Sequence, residues 1–129
     1  MEQVKKNKEF IIRYYNALSG GTKTREMLTE YITDPELIEH IIFFDRVFPK
    51  YEMVIEEMTA EGNRVVVRAT MKGVHEGDFN GIPPTHRKIE SPGVVSYQIE
   101  NGKIVHYWLF ADQALVMEQL GIMNVPAGS

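Results

Sequence analysis

The sequence predicts an α+β fold, with helices in its first half and an antiparallel meander in its second. Two observations carry that prediction. Up to about Phe48 the apolar residues recur at helical spacing, broken by Gly20-Gly21 and by Asp34-Pro35. From Tyr51 to Asp112 they alternate as in strands, around the turn signals Glu61-Gly62-Asn63 and Asn101-Gly102.

The elements follow in order. In "KNKEFIIRYYNALSGG", Ile11, Tyr14, Tyr15 and Leu18 mark a helix that the glycine pair stops. Tyr14 and Tyr15 are neighbours, so at most one is expected to point into the centre of the fold. A short helix follows from about Thr24 to Tyr31. In "TDPELIEHIIFFDRVFPKY", Asp34 is placed to cap a helix and Pro35 occupies its first position. Leu37, Ile41, Phe44 and Phe48 form its apolar stripe, and Pro49 ends it. Two strands then flank Glu61-Gly62-Asn63. The segment "GDFNGIPPTHR" is a Gly- and Pro-rich loop, in which Phe79 and Ile82 are candidates to cover a cavity mouth. Two more strands flank Asn101-Gly102, and Pro92 predicts an edge or bulge near the start of the first. "DQALVMEQLG" closes the pattern as a short helix ending at Gly121, with 122–129 as a tail.

At 129 residues the chain is expected to form one domain over 1–129, with a core from about 10 to 121. Such a length buries roughly two-thirds of the unfolded surface, enough for a core that holds a modest cavity. A formal charge of −4 argues against a nucleic-acid partner, which calls for a basic face. The absence of cysteine removes disulfides, thiolate zinc sites and cysteine nucleophiles. No apolar run approaches the ~18 residues of a membrane span, and the first residues lack a signal-peptide pattern. A cytoplasmic protein with no membrane partner is the expectation. His40, His75, His86 and His106 form no i, i+4 pair and no H-x-H pair, so no metal site is expected. The strands are apolar on both faces, which predicts a homodimer through the sheet face.

The stretch "GKIVHYWLFAD" raises the functional question. Strict alternation places Ile104, His106, Trp108, Phe110 and Asp112 on one face. Asp112 precedes a helical segment and suits an N-cap; facing an apolar cavity it would be a base with a raised pKa, and the two roles need not exclude each other. His106 lies roughly 20 Å from Asp112 along an ideal strand, too far for a direct dyad. His40 in "LIEHIIFF", with Phe44 one turn on, looks either into a cavity or onto an internal polar group. A tyrosine of the first helix, such as Tyr15, could donate to an enolate.

"GVHEGDFNGIPPTHRKI" followed by "YQIENGKIVHYWLFADQALVMEQLG" resembles the SnoaL-like polyketide cyclase family, over about Phe10 to Gly121. The resemblance implies the cone-shaped α+β superfamily that includes nuclear transport factor two and ketosteroid isomerase. Its curved antiparallel sheet wraps around N-terminal helices and leaves an internal pocket, and its convex face commonly pairs with a second subunit. In cyclase members an aspartate matching Asp112 acts as acid and base in an aldol closure, without metal or cofactor. This chain departs at His86, where the family usually has glycine, and in having no histidine on the strand "KIESPGVVSYQIE".

Two functions follow as expectations. One is a cofactor-free isomerase, dehydratase or aldol-type cyclase acting on a small apolar carbonyl compound. Asp112 would be its base, with His40, Phe44, Tyr15, His106, Trp108 and Phe110 around the substrate. The other is a non-catalytic dimeric module that binds a small apolar molecule, with Asp112 turned outward as a helix cap.

Overall fold

The computed structural model describes residues 2–121, and the expected tail lies outside them. Three helices precede the sheet: α1 (Glu2–Leu18), α2 (Arg25–Thr29) and α3 (Pro35–Val47). Four strands follow, β1 (Glu52–Glu61), β2 (Arg64–Val74), β3 (Lys88–Glu100) and β4 (Lys103–Ala111), and then α4 (Gln113–Gln119). The strands pair antiparallel in sequence order, β1-β2-β3-β4, and the helices pack on one face. The predicted α+β class is what the chain adopts.

Helix α1 buries Asn7, Phe10, Ile11, Tyr14, Tyr15 and Leu18, one stripe at three- and four-residue spacing. Burying each large apolar side chain of that stripe contributes about 1.5–3 kcal/mol. Both neighbouring tyrosines are buried, at 1% and 2% exposure, which corrects the expectation that only one turns inward. They are 100° apart around the helix and fill different gaps. Asp34 caps α3 by accepting from the Glu36 amide at 3.0 Å, and Pro35 follows it. Asn101 and Gly102 both take positive φ, 52° and 72°, as a two-residue hairpin turn requires.

Two bulges bend the sheet. On β1, Ile55 pairs with Ala69 and Glu57 with Arg68, leaving Glu56 extra. On β4, His106 pairs with Gln98 and Ile104 with Ile99, leaving Val105 extra. The second bulge decides which side chains face the interior.

The start of β3 shows how a side chain can stand in for a strand. The β3–β4 ladder stops at Gly93 and Ala111. Beyond it, the Gln119 amide takes over the Glu90 backbone, Oε1 accepting from its N–H at 2.8 Å and Nε2 donating to its carbonyl at 2.9 Å. Two residues on, Pro92 points the same way and has no N–H to satisfy, which explains a proline inside a strand.

One lysine is internal. Lys23, 4% exposed, donates to the carbonyls of Gly21 at 2.8 Å and Tyr51 at 2.9 Å. Its Nζ also lies 3.4 Å from Asp45 Oδ1 and 4.0 Å above the Tyr51 ring. Burial lowers its pKa, and Asp45 opposes that shift.

The loop from β2 to β3 is tied to the end of α3. The amides of Glu76 and Gly77 both donate to the Val47 carbonyl, at 3.0 and 3.1 Å. Further along, His86 takes φ +59°, the left-handed region that glycine occupies without strain, while its amide donates to the His75 carbonyl at 2.9 Å. A non-glycine residue there costs ~1–2 kcal/mol, partly offset by the entropy a glycine loses on folding. His86→Gly is therefore expected to stabilise the protein by about 0.5–1 kcal/mol. Chemical denaturation measures it as a higher midpoint at unchanged slope.

Candidate functional site

A cavity of about 150 Å³ lies between α1, α3, the sheet and α4. Its deep end is buried and is formed by Tyr14, Leu18 and Tyr97; its mouth, at Leu109, Ala111 and Gln113, is exposed. A void of that size takes up a benzene-sized molecule. Most of the lining is apolar, with Leu37, Ile41, Phe44, Phe48, Met53 and Met71 among it. The polar groups are few: the imidazole of His40, the phenols of Tyr14, Tyr51, Tyr97 and Tyr107, the Ser91 hydroxyl and the Gln113 amide.

His40 and Phe44 both line the cavity, one turn apart on α3, with ring centroids 4.6 Å apart. The Tyr107 ring of β4 faces His40 at 6.2 Å. Burial lowers the His40 pKa from 6.5, and the nearby Glu36 carboxylate opposes that shift. Burial also raises the Tyr107 pKa from 10.0, with Glu36 and Asp34 adding to it. At neutral pH this wall therefore carries an uncharged imidazole and a protonated phenol.

Tyr15 does not line the cavity. Its hydroxyl meets the Tyr97 hydroxyl at 2.7 Å, and Tyr97 does line it. Burial pushes Tyr15 up to about 12, against the lowering effect of that hydrogen bond. Burial also raises Tyr97 well above 10.0. Tyr14, also raised well above 10.0 by burial, packs edge-on to both rings at 5.6 and 5.9 Å. The deep wall is thus a set of protonated phenols.

The placement of the β4 residues corrects the sequence reading. Tyr107, Leu109 and Ala111 line the cavity. His106, Trp108 and Phe110 stand on the outer face, where Trp108 is 40% and Phe110 72% exposed. The reason is the Val105 bulge. Ile104 is buried, and strict alternation carries its inward phase on to His106; the extra residue reverses it. Outside, the His106 and Trp108 rings meet edge-on at 4.6 Å and the Arg64 guanidinium lies 5.1 Å above the indole. Asp112 is exposed and caps α4, its Oδ1 accepting from the Leu115 amide at 2.9 Å. Its chain neighbours Ala111 and Gln113 line the mouth, and it does not.

Tyr51, Ser91, Tyr97, Tyr107 and Gln113 line the cavity without having been candidates from the sequence, and Tyr14 lines it in place of Tyr15. The signal for Tyr107 was the bulge, which no residue type announces. For Tyr14 it was the i, i+4 relation to Leu18 on the cavity side of α1.

Behind the cavity wall lies His75, fully buried. The Thr85 amide donates to its Nδ1 at 3.1 Å, so the ring carries its proton on Nε2. That Nε2 has no hydrogen-bond partner among the described residues. A buried donor left unpaired costs about 1–3 kcal/mol. Among the described residues no group of three or more metal-ligating side chains gathers, and no helix is long and apolar enough to cross a membrane.

Helices on one face of a curved antiparallel sheet match what comparison with known proteins finds. The model of the SnoaL-like polyketide cyclase family matches residues 36–120, and the chain belongs to that family. A SnoaL-like protein of Jannaschia sp. CCS1 superposes with a TM-score of 0.79 at 24% identity, over 93% of this chain and 94% of that one. A protein of Acidithiobacillus ferrooxidans gives 0.77 at 21% identity, over 90% and 94%. IdmH of Streptomyces antibioticus gives 0.73 at 23% identity, over 89% and 98%. All three have been proposed to be polyketide cyclases, and at these identities they show the fold. No curated protein matches the chain.

Proposed function

We propose that the cavity is the active site of an acid–base enzyme that removes a proton next to the carbonyl of a small, largely apolar compound. The observation that carries this reading is the convergence of His40 and Tyr107 on one apolar cavity. An apolar pocket with a few convergent polar groups and shifted pKa values is where such chemistry is favoured. The uncharged His40 imidazole accepts the proton from carbon, and the Tyr107 phenol donates a hydrogen bond to the oxygen on which the enolate charge develops. The enolate then isomerises, expels a leaving group or closes a ring. With the Asp112 carboxylate engaged at the start of α4, the base in this reading is His40. The family's polyketide cyclase description supports the reaction class, and neither a metal nor a cofactor takes part in these steps.

The test is deuterium uptake next to the carbonyl of acetophenone in heavy water, followed by NMR. Exchange faster than in buffer, abolished with the cavity residues, supports the enzyme. Binding without exchange supports a ligand-binding module, the reading that the outward Asp112 favours.

The outer sheet face belongs to the same proposal. Val54, Val94, Trp108 and Phe110 are exposed there. Such a patch suits a second copy of the chain. The expected result is a homodimer in sedimentation equilibrium, and Trp108→Glu with Phe110→Glu shifts it to monomer.

A further inference from the structure

Phe79 is the hub of the aromatic wall between His75 and the cavity. Its ring lies 5.8 Å from Phe44, 6.1 Å from Phe48 and 6.4 Å from His75. Phe48 lies 5.7 Å from His75 on the other side. Phe48 and Phe79 both line the cavity, whereas His75 does not. The Nε2–H of His75 is therefore screened from the cavity by these two rings.

The two rings are held differently. Phe48 is fully buried and lies at the end of α3. Phe79 opens a two-residue turn, Asn80-Gly81, whose φ values are +50° and +94°. The turn closes on itself: the Phe79 and Ile82 amides donate to each other's carbonyls at 2.9 and 3.0 Å, and the Gly81 amide donates to Asp78 Oδ2 at 2.9 Å. A segment whose hydrogen bonds are internal can pivot as a unit without breaking a bond to the rest of the fold. His75, by contrast, is pinned by Thr85, whose hydroxyl also lies 3.0 Å from Nδ1.

We infer that Phe79 gates a second polar subsite, in which the Nε2–H of His75 donates a hydrogen bond to an oxygen acceptor at the far end of the ligand. The ligand class is an aromatic or alicyclic ring bearing a carbonyl or ether oxygen, longer than the closed cavity admits. Opening removes an unpaired donor from an aromatic surround and gives it an acceptor, so an oxygen at that end is selected over a methyl group of the same size. The inference rests on the cavity being a ligand site, and it adds a specificity determinant that takes no part in proton transfer.

Two probes of nearly the same shape, both carrying the carbonyl, test it: 4′-methoxyacetophenone, which has an ether oxygen at the opposite end of the ring, and 4′-ethylacetophenone, which has a methylene there instead. Each is titrated into ¹⁵N-labelled wild type and Phe79→Ala while the imidazole nitrogens of His40 and His75 are followed by NMR. The expected result is a shift of His75 Nε2 with 4′-methoxyacetophenone alone, and a preference for it over 4′-ethylacetophenone that grows about tenfold in Phe79→Ala. His75→Phe, where it folds, erases that preference. If both probes bind, His40 shifts and His75 stays silent in wild type and Phe79→Ala alike, the subsite is overturned while the cavity remains a ligand site. If neither probe binds to either protein, the subsite and the proposed function fall together.

Discussion

His40→Gln is expected to slow deuterium exchange by about 100-fold, the lower end of what a general base contributes. Glutamine keeps the approximate size and polarity of the side chain but cannot take up the proton. The pH profile gives an independent signature. The active form of His40 is the uncharged imidazole, and burial lowers its pKa from 6.5. The acid limb of the rate therefore falls below 6.5 instead of at it. Tyr107 acts while protonated, and burial raises its pKa from 10.0, so the alkaline limb lies above that value. Between the two limbs the rate is flat. Tyr107→Phe keeps the ring and removes the donor, which leaves the acid limb in place and lowers the plateau. The control is Asp112. Asparagine caps a helix about as well as aspartate, so Asp112→Asn should leave both fold and exchange nearly unchanged. Asp112→Ala loses the cap, about 1 kcal/mol, with exchange retained. The opposite pattern, exchange lost in Asp112→Asn and kept in His40→Gln, assigns the base to Asp112 and overturns His40.

The sequence made the architecture legible because its signals are local. Asp34-Pro35, Asn101-Gly102 and the apolar stripe of α1 each act within a few residues, and each forms what its chemistry favours. The inner face of β4 was not legible in this way. Its phase depends on Val105, an extra residue that is stable only because β3 offers Gln98 and Ile99 as consecutive partners. A one-residue slip exchanges every side chain between faces, and so Tyr107 took the place in the cavity expected of His106. Lys23 illustrates the same limit. A lysine reads as surface, and only the meeting of Gly21, Tyr51 and Asp45 around it makes an interior position tolerable. Gln119 and His75 are similar, since their partners lie 29 and 10 residues away. What the sequence hides is the phase of a bulged strand and the long-range pairing of polar groups.

Gly77→Ala is expected to destabilise the protein by about 3 kcal/mol, the upper end of the usual cost of overpacking. A Cβ on Gly77 would lie 2.0 Å from the Arg46 carbonyl oxygen and 3.2 Å from the Val47 Cα. Neither neighbour can yield as a flexible side chain would, because both belong to the backbone at the end of α3. The loop must lift instead, and lifting breaks the two bonds that the Glu76 and Gly77 amides make to the Val47 carbonyl. For a chain of this size the loss corresponds to a Tm drop on the order of 10 °C. Gly21→Ala is the matched control: nothing lies within 4 Å of a Cβ there, and its backbone needs no positive φ. That variant should stay within about 0.5 kcal/mol of wild type. The pair separates close approach from the general effect of removing a glycine. It also reaches the site, since Gly77 lies between His75 and Phe79 in the chain. A loop lifted at Gly77 loosens the ring that screens His75, so the Nε2–H of His75 should exchange with solvent faster in Gly77→Ala than in wild type, at a temperature where both remain folded. Equal stability of Gly77→Ala and Gly21→Ala would mean that the loop does not rest on α3, and the geometry argued for Phe79 would lose its support.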